Sequence, residues 1–125
     1  MKTNNLHVIL AMLIVAPCEV TANDSDTPGW TEVAAIFNER CVMCHSAVAG
    51  ASKGLRLDEY SAALVGSERG AVLIPGNIAG SELIRRLRGE SLPRMPFLSR
   101  PLHDTQIELI ERWIETGLPM TGQTE

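Results

Sequence analysis

The sequence predicts a small all-α domain of about four to five helices joined by long loops, and three observations carry that expectation. Apolar residues recur at three- and four-residue steps, most clearly at Trp30, Val33, Phe37, Cys41 and Cys44, which is the period of one helix face. Glycine and proline punctuate the stretches between such segments. No run of useful length alternates apolar and polar residues, as a half-buried strand would.

The chain has 125 residues, enough for one domain. Residues 1–22 read as an export signal. Lys2 gives a short positive start, residues 8–16 are unbrokenly apolar, and Val20-Thr21-Ala22 is a small-residue cleavage site with the cut expected before Asn23. The apolar run is shorter than the roughly 20 residues a membrane span needs, and no other segment is apolar enough to cross. The expected location is therefore periplasmic. Cys18 offers an alternative, a lipid-anchored start, but Pro17 stands where such signals need a small residue other than proline. Residues 23–29 read as a linker, residues 30–119 as the folded domain and residues 120–125 as a tail.

Within the domain, Thr27-Pro28 suits an N-cap followed by a first-turn proline. The first helix then runs from about residue 28 or 29 into Cys41. Residues 46–57, rich in Ala, Gly and Ser, are loop. Asp58 is the expected cap of a helix over 59–65, which Gly66 ends. Residues 66–80 carry four glycines and a proline and form a second loop. Ser81 caps a helix over 82–88, ended by Gly89. Pro93, Pro96 and Pro101 bar regular helix from 89–102. The last helix starts near Asp104, presents Ile107, Ile110, Trp113 and Ile114 on one face, and stops at Gly117 with Pro119 beyond. Loops this long need a surface other than helices to pack on.

Residues 41–45, Cys-Val-Met-Cys-His, indicate what that surface is. Cys-x-x-Cys-His is the attachment signature for one covalent haem c. Two thiols three residues apart share a helix face and can form thioethers along one porphyrin edge. His45 then points over the ring and can ligate iron. A disulfide, a redox dithiol or half a zinc site are the other readings. Zinc would need further Cys or His ligands, and the sequence supplies only Cys18, His7 and His103.

The second axial position has several candidates. Met43 lies inside the pentapeptide and cannot reach the opposite face. Met95 lies in Leu92-Pro93-Arg94-Met95-Pro96, where the prolines stiffen the backbone, as a weak thioether ligand requires. His103 would make a bis-histidine site. Met120 lies in a Gly/Pro-rich tail expected to be mobile, and an open sixth site is the remaining option. Met95 fits best, and would give six-coordinate iron of raised potential suited to one-electron transfer.

The formal charge of −4 provides no broad basic field for nucleic acid. Arg85, Arg86, Arg88, Arg94 and Arg100 flank Met95, and acidic residues gather toward both ends. A basic rim of this kind would steer an acidic redox protein partner to a monomer or small complex. Arg56 or Arg94 are the expected partners of the haem propionates. The chain has no His-Glu-x-x-His and no phosphate loop, and an electron carrier is expected rather than an enzyme.

Several motifs together carry a family resemblance. Residues 41–45, Gly54-Leu55-Arg56-Leu57-Asp58, Pro75-Gly76-Asn77, Ser81-Glu82-Leu83-Ile84-Arg85-Arg86, Arg94-Met95-Pro96 and Trp113-Ile114-Glu115-Thr116-Gly117 stand in the order of the planctomycete-type cytochrome c domain. The resemblance spans about residues 30–119. It implies a cytochrome c-like fold with axial His45 and, by position, axial Met95. Lys53-Gly54 stands where the family often shows Gly-Gly, and Met95-Pro96-Phe97 where Met-Pro-Pro is common. Phe97 would either wall the haem pocket or fill core. The expected function is an exported monohaem c-type cytochrome carrying single electrons. The alternatives are an electron-transfer subunit of a periplasmic dehydrogenase or oxidase, and a haem-based gas sensor or peroxidase with an open sixth site.

Overall fold

A computed structural model describes residues 26–123. The export signal, its cleavage site and Cys18 lie outside the described residues. Four α-helices form the fold: α1 (Trp30–Arg40), α2 (Tyr60–Val65), α3 (Glu82–Arg88) and α4 (Asp104–Glu115), with a 3-10 turn at Ser52–Gly54. Among the described residues there is no strand, only isolated bridges at Thr27–Gln123 and Ser67–Gly70. The all-α expectation holds.

Helix α1 begins one step later than Thr27-Pro28 suggests. Gly29 is the N-cap, and its N–H donates to the Glu32 carboxylate at 3.0 Å, satisfying one of the free donors at a helix start. Thr27 instead exchanges backbone hydrogen bonds with Gln123, at 3.2 and 3.1 Å. A side chain at Gly29 would run into the Gly122 backbone, so only glycine lets the two strands of chain pass this closely. The Trp30 N–H donates to the Met120 carbonyl at 3.1 Å. Residues 120–123 thus lie fastened to the start of α1, where the sequence suggested a mobile tail.

The core forms where α1 and α3 pack on α4. Val33 and Phe37 from α1, Leu83, Ile84 and Leu87 from α3, and Ile107, Ile110, Trp113 and Ile114 from α4 are buried. Those of α1 and α4 are residues of the predicted apolar faces, and burial by periodicity decides their packing. Trp30 gathers three rings around it, with centroids 5.8 Å from Phe37, 5.7 Å from Tyr60 and 5.8 Å from Trp113. The Trp113 Nε1–H donates to the Pro119 carbonyl at 2.9 Å, and the Tyr60 hydroxyl to the Leu118 carbonyl at 2.7 Å. These bonds supply the buried polar tips of both rings with partners and turn the chain back after α4.

Two further caps fall one residue from their expected places. Helix α2 starts after Glu59, because the Asp58 carboxylate is engaged by Arg56 at 3.2 Å and by the Ala47 N–H at 3.3 Å. Helix α4 is capped at His103, whose N–H donates to Gln106 Oε1 at 3.1 Å; Asp104 is its first residue, where a carboxylate favours the helix dipole. Ser81 does precede α3. Its buried hydroxyl, however, accepts from the Ile74 N–H at 2.9 Å and donates to the Asn77 carbonyl at 2.8 Å. It therefore tethers the 74–81 loop. The predicted stops hold: α2 and α3 end at Gly66 and Gly89, both at positive φ.

Candidate haem site

The long loops and one side of the helices enclose a large cavity of about 900 Å³. Its walls come from the end of α1 (Phe37, Arg40), residues 41–45, the 52–57 and 67–72 loops, α3 (Leu83, Arg86, Leu87) and the 92–99 loop. Helix α4 stands behind this shell and contributes no lining residue. Cavities of roughly 300–1,000 Å³ are the range for bound cofactors and ligands, so this one has the volume for a cofactor.

Helix α1 stops at Arg40, and residues 41–44 form a hydrogen-bonded turn rather than the further helical turn expected. Cys41 takes φ −126° and ψ −40°. The N–H groups of Cys44 and His45 both donate to the Cys41 carbonyl, at 3.1 and 3.0 Å. The turn still brings both thiols and the imidazole to the cavity wall. Residues 51–58 hold it from outside. Ser52 N–H donates to the Cys44 carbonyl at 2.9 Å, and Leu57 N–H to the His45 carbonyl at 2.8 Å.

Cys41 and Cys44 are free thiols, the first partly buried and the second exposed. Burial pushes the Cys41 thiol up to about 12, against a smaller lowering by the Arg40 guanidinium. A thiol so protonated is a poor redox nucleophile at neutral pH. Among the described residues, no three His, Cys, Asp or Glu side chains converge as a cation site. The zinc reading of the pentapeptide therefore lacks companion ligands there.

The His45 ring lines the cavity, and its Nδ1 is buried without a hydrogen-bond partner. A buried ring nitrogen without a partner calls for an explanation. Nε2 is the nitrogen left to the cavity. Met95, half-buried against the core, lines the same cavity. Its N–H donates to the Arg86 carbonyl at 3.1 Å. The structure therefore brings Cys41, Cys44, His45 and Met95 around one space. It does not bring His103 or Met120 there: His103 is exposed at the start of α4, and Met120 sits beside Trp30. Phe97 lines the cavity at 60% exposure, a rim and not core filling.

The charged lining differs from expectation. Neither Arg56 nor Arg94 is among the lining residues. Arg56 is engaged by Asp58 and Glu59, at 3.2 and 3.5 Å. Arg40, Lys53, Arg69 and Arg86 line the cavity instead. Of these, Arg40 donates to the Arg100 carbonyl at 2.6 Å and Arg86 pairs with Glu82 at 2.8 Å. Lys53 and Arg69 have no ion-pair partner among the described residues. The expected basic rim is likewise thinned: Arg85 and Arg86 share Glu82, and Arg88 is held by Asp104 and Glu111. No local sequence signal placed residues 53 and 69 at the site, because the fold alone brings these two loops together, through the Glu68 N–H to the Lys53 carbonyl at 2.8 Å.

Residues 41–96 match the family model described as Planctomycete cytochrome C. Over this segment the chain is similar to a planctomycete cytochrome c domain. The match begins at the first thiol and ends one residue past Met95, so it brackets the cavity-forming part of the chain. Helices α1 and α4 lie outside the match; the end of α1 reaches the cavity wall and α4 packs behind it. A cytochrome c domain implies binding of haem c. The fit is supported here by the apolar volume, the two adjacent thiols and the His45 ring on the cavity wall. Neither the curated proteins nor the solved structures hold a match to this chain. Among the described residues, no helix is long and apolar enough to cross a membrane.

Proposed function

We propose that this chain is an exported monohaem c-type cytochrome that carries single electrons. The observation that carries the reading is the convergence of Cys41, Cys44, His45 and Met95 on one cavity of about 900 Å³. Cys41 and Cys44 would hold the porphyrin through thioethers, His45 would offer Nε2 to iron, and Met95 would offer its thioether sulfur from the 92–99 loop. Bound haem supplies a one-electron iron couple. The chain would hold that group in low dielectric, with His45 and Met95 as the residues that would ligate iron, which would favour electron transfer over binding of small ligands. Leu57, Leu83, Leu87 and Leu102 exclude water from the inner wall.

The test is maturation of the full chain in a periplasm equipped for haem attachment, followed by intact mass under denaturing conditions. One haem retained after denaturation, on a chain beginning at Asn23, is the expected result. Haem lost on denaturation refutes thioether attachment, and a chain beginning at an acylated Cys18 refutes simple export.

A second reading, an electron-transfer subunit of a larger periplasmic dehydrogenase or oxidase, draws on the exposed apolar side chains beside the cavity. Leu92, Phe97 and Leu98 are 78%, 60% and 91% exposed. Co-purification with a larger enzyme, disrupted by Phe97→Ser, would favour this reading over a free carrier; elution as a monomer would count against it.

A further inference from the structure

Arg86 grips the loop that carries Met95 from two sides. Its main-chain carbonyl accepts the Met95 N–H at 3.1 Å. Its guanidinium Nη1 donates to the Pro93 carbonyl at 3.3 Å. One residue of α3 therefore spans the two chain positions immediately around Arg94. Glu82, one helical turn earlier, sets the guanidinium: its Oε1 accepts from Arg86 Nε at 2.8 Å. The other oxygen, Oε2, accepts from Ser91 Oγ at 3.2 Å and faces Arg85 Nη1 at 3.4 Å. The start of the same loop is held as well, by the Glu90 and Ser91 N–H groups on the Arg85 carbonyl at 2.8 and 3.1 Å. The Arg86 side chain is 23% exposed and that of Glu82 33%, so water competes only in part. Both residues also line the cavity.

We propose that Arg86, oriented by Glu82, is a positioning residue that holds Met95 at the sixth iron position; the proposal rests on the Met95 ligation put forward above. The physical need is plain. A thioether is a weak ligand, and the 89–102 segment has no regular secondary structure to hold it. Each backbone group of the loop that bonds to α3 removes a route by which Met95 could swing away. The guanidinium is suited to the task because its planar fork reaches Glu82 and the Pro93 carbonyl at once, which a lysine ammonium on one flexible stem does not.

The experiment uses haem-matured full-length protein and imidazole as a competing ligand of oxidised iron. Imidazole binds only when Met95 is off, so its apparent affinity reads the Met95-off population. Arg86→Ala should raise that affinity about tenfold, from loss of charge-assisted bonds. Arg86→Lys, which keeps charge and helix propensity, should give an intermediate rise and serves if the alanine variant does not mature. Arg88→Ala is the control, because Arg88 pairs with Glu111 and Asp104 on α4 at 2.9 and 3.3 Å, away from the Met95 loop; it should leave imidazole affinity unchanged. A wild-type sulfur-to-iron charge-transfer band with unchanged imidazole affinity in both Arg86 variants overturns the proposal and leaves Met95 ligation standing. An equal rise in Arg88→Ala also overturns it, since the effect would then be general loosening. Absence of the band in the wild type overturns Met95 ligation itself, and this proposal with it.

Discussion

Trp113→Ala is expected to cost about 3–5 kcal/mol of folding stability, the range for removing a buried tryptophan. Trp113 is 0% exposed, packs against Trp30 at 5.8 Å, and donates from Nε1 to the Pro119 carbonyl at 2.9 Å. The substitution therefore removes core volume at the α1–α4 contact and also leaves a carbonyl without its donor. Trp113→Phe separates these effects. It keeps most of the ring and forfeits the hydrogen bond, worth about 1 kcal/mol, with a smaller packing loss, so about 1–2.5 kcal/mol in total. Urea unfolding of the holoprotein, followed by far-ultraviolet circular dichroism, gives both values. For a domain of this size each 1 kcal/mol moves the thermal midpoint by about 4–8 °C. A Trp113→Ala loss below about 1 kcal/mol would refute the account of the core, because α1, which carries Phe37 and Cys41 to the cavity, would then not depend on α4.

Further expectations concern charge and backbone. Hydrogen bonding from Arg86, with help from Ser91, holds the Glu82 carboxyl below the usual range. Its stabilising effect is thus present above the ordinary glutamate pKa of about 4.3 and is lost as pH falls through the lower folded value; Glu82→Gln should flatten that acid limb in a pH series of unfolding curves, and an unchanged limb would assign it to other groups. Arg88→Ala should cost about 1 kcal/mol, less at high salt, since the pair with Glu111 is only partly shielded from water; urea curves at low and high salt check this. Lys53→Ala and Arg69→Ala should each lower the midpoint potential, because a nearby cation favours the reduced iron, and redox titration without any shift would remove both residues from the site. Gly66→Ala should destabilise strongly, as Gly66 has φ +89° and an added Cβ would meet the Gly70 carbonyl; a thermal midpoint within a few degrees of wild type would contradict the turn geometry.

Much of the fold was legible because local rules acted without competition. Gly66 and Gly89 stop their helices as read, and the apolar positions of α1, α3 and α4 are the buried ones. The caps misplaced at Thr27 and Asp58 had their groups claimed by other partners, and the one at Asp104 yielded to its neighbour. Gln123 took Thr27, Arg56 and Ala47 took Asp58, and Gln106 favoured His103 as the cap. The cavity thiols and His45 were legible from spacing, and Met95 from its stiff proline context. Lys53 and Arg69 were not placed at the cavity, because their position depends on how their two loops converge. Nor could sequence show that Arg85, Arg86 and Arg88 spend their charge on Glu82, Asp104 and Glu111.

The central claim is that His45 and Met95 together hold a covalently attached haem for electron transfer. The absorption spectrum of oxidised, haem-matured protein tests it most directly. Low-spin iron with a weak sulfur-to-iron charge-transfer band, lost in Met95→Ala, is the expected result. High-spin iron in the wild type, or a band that survives Met95→Ala, would contradict it.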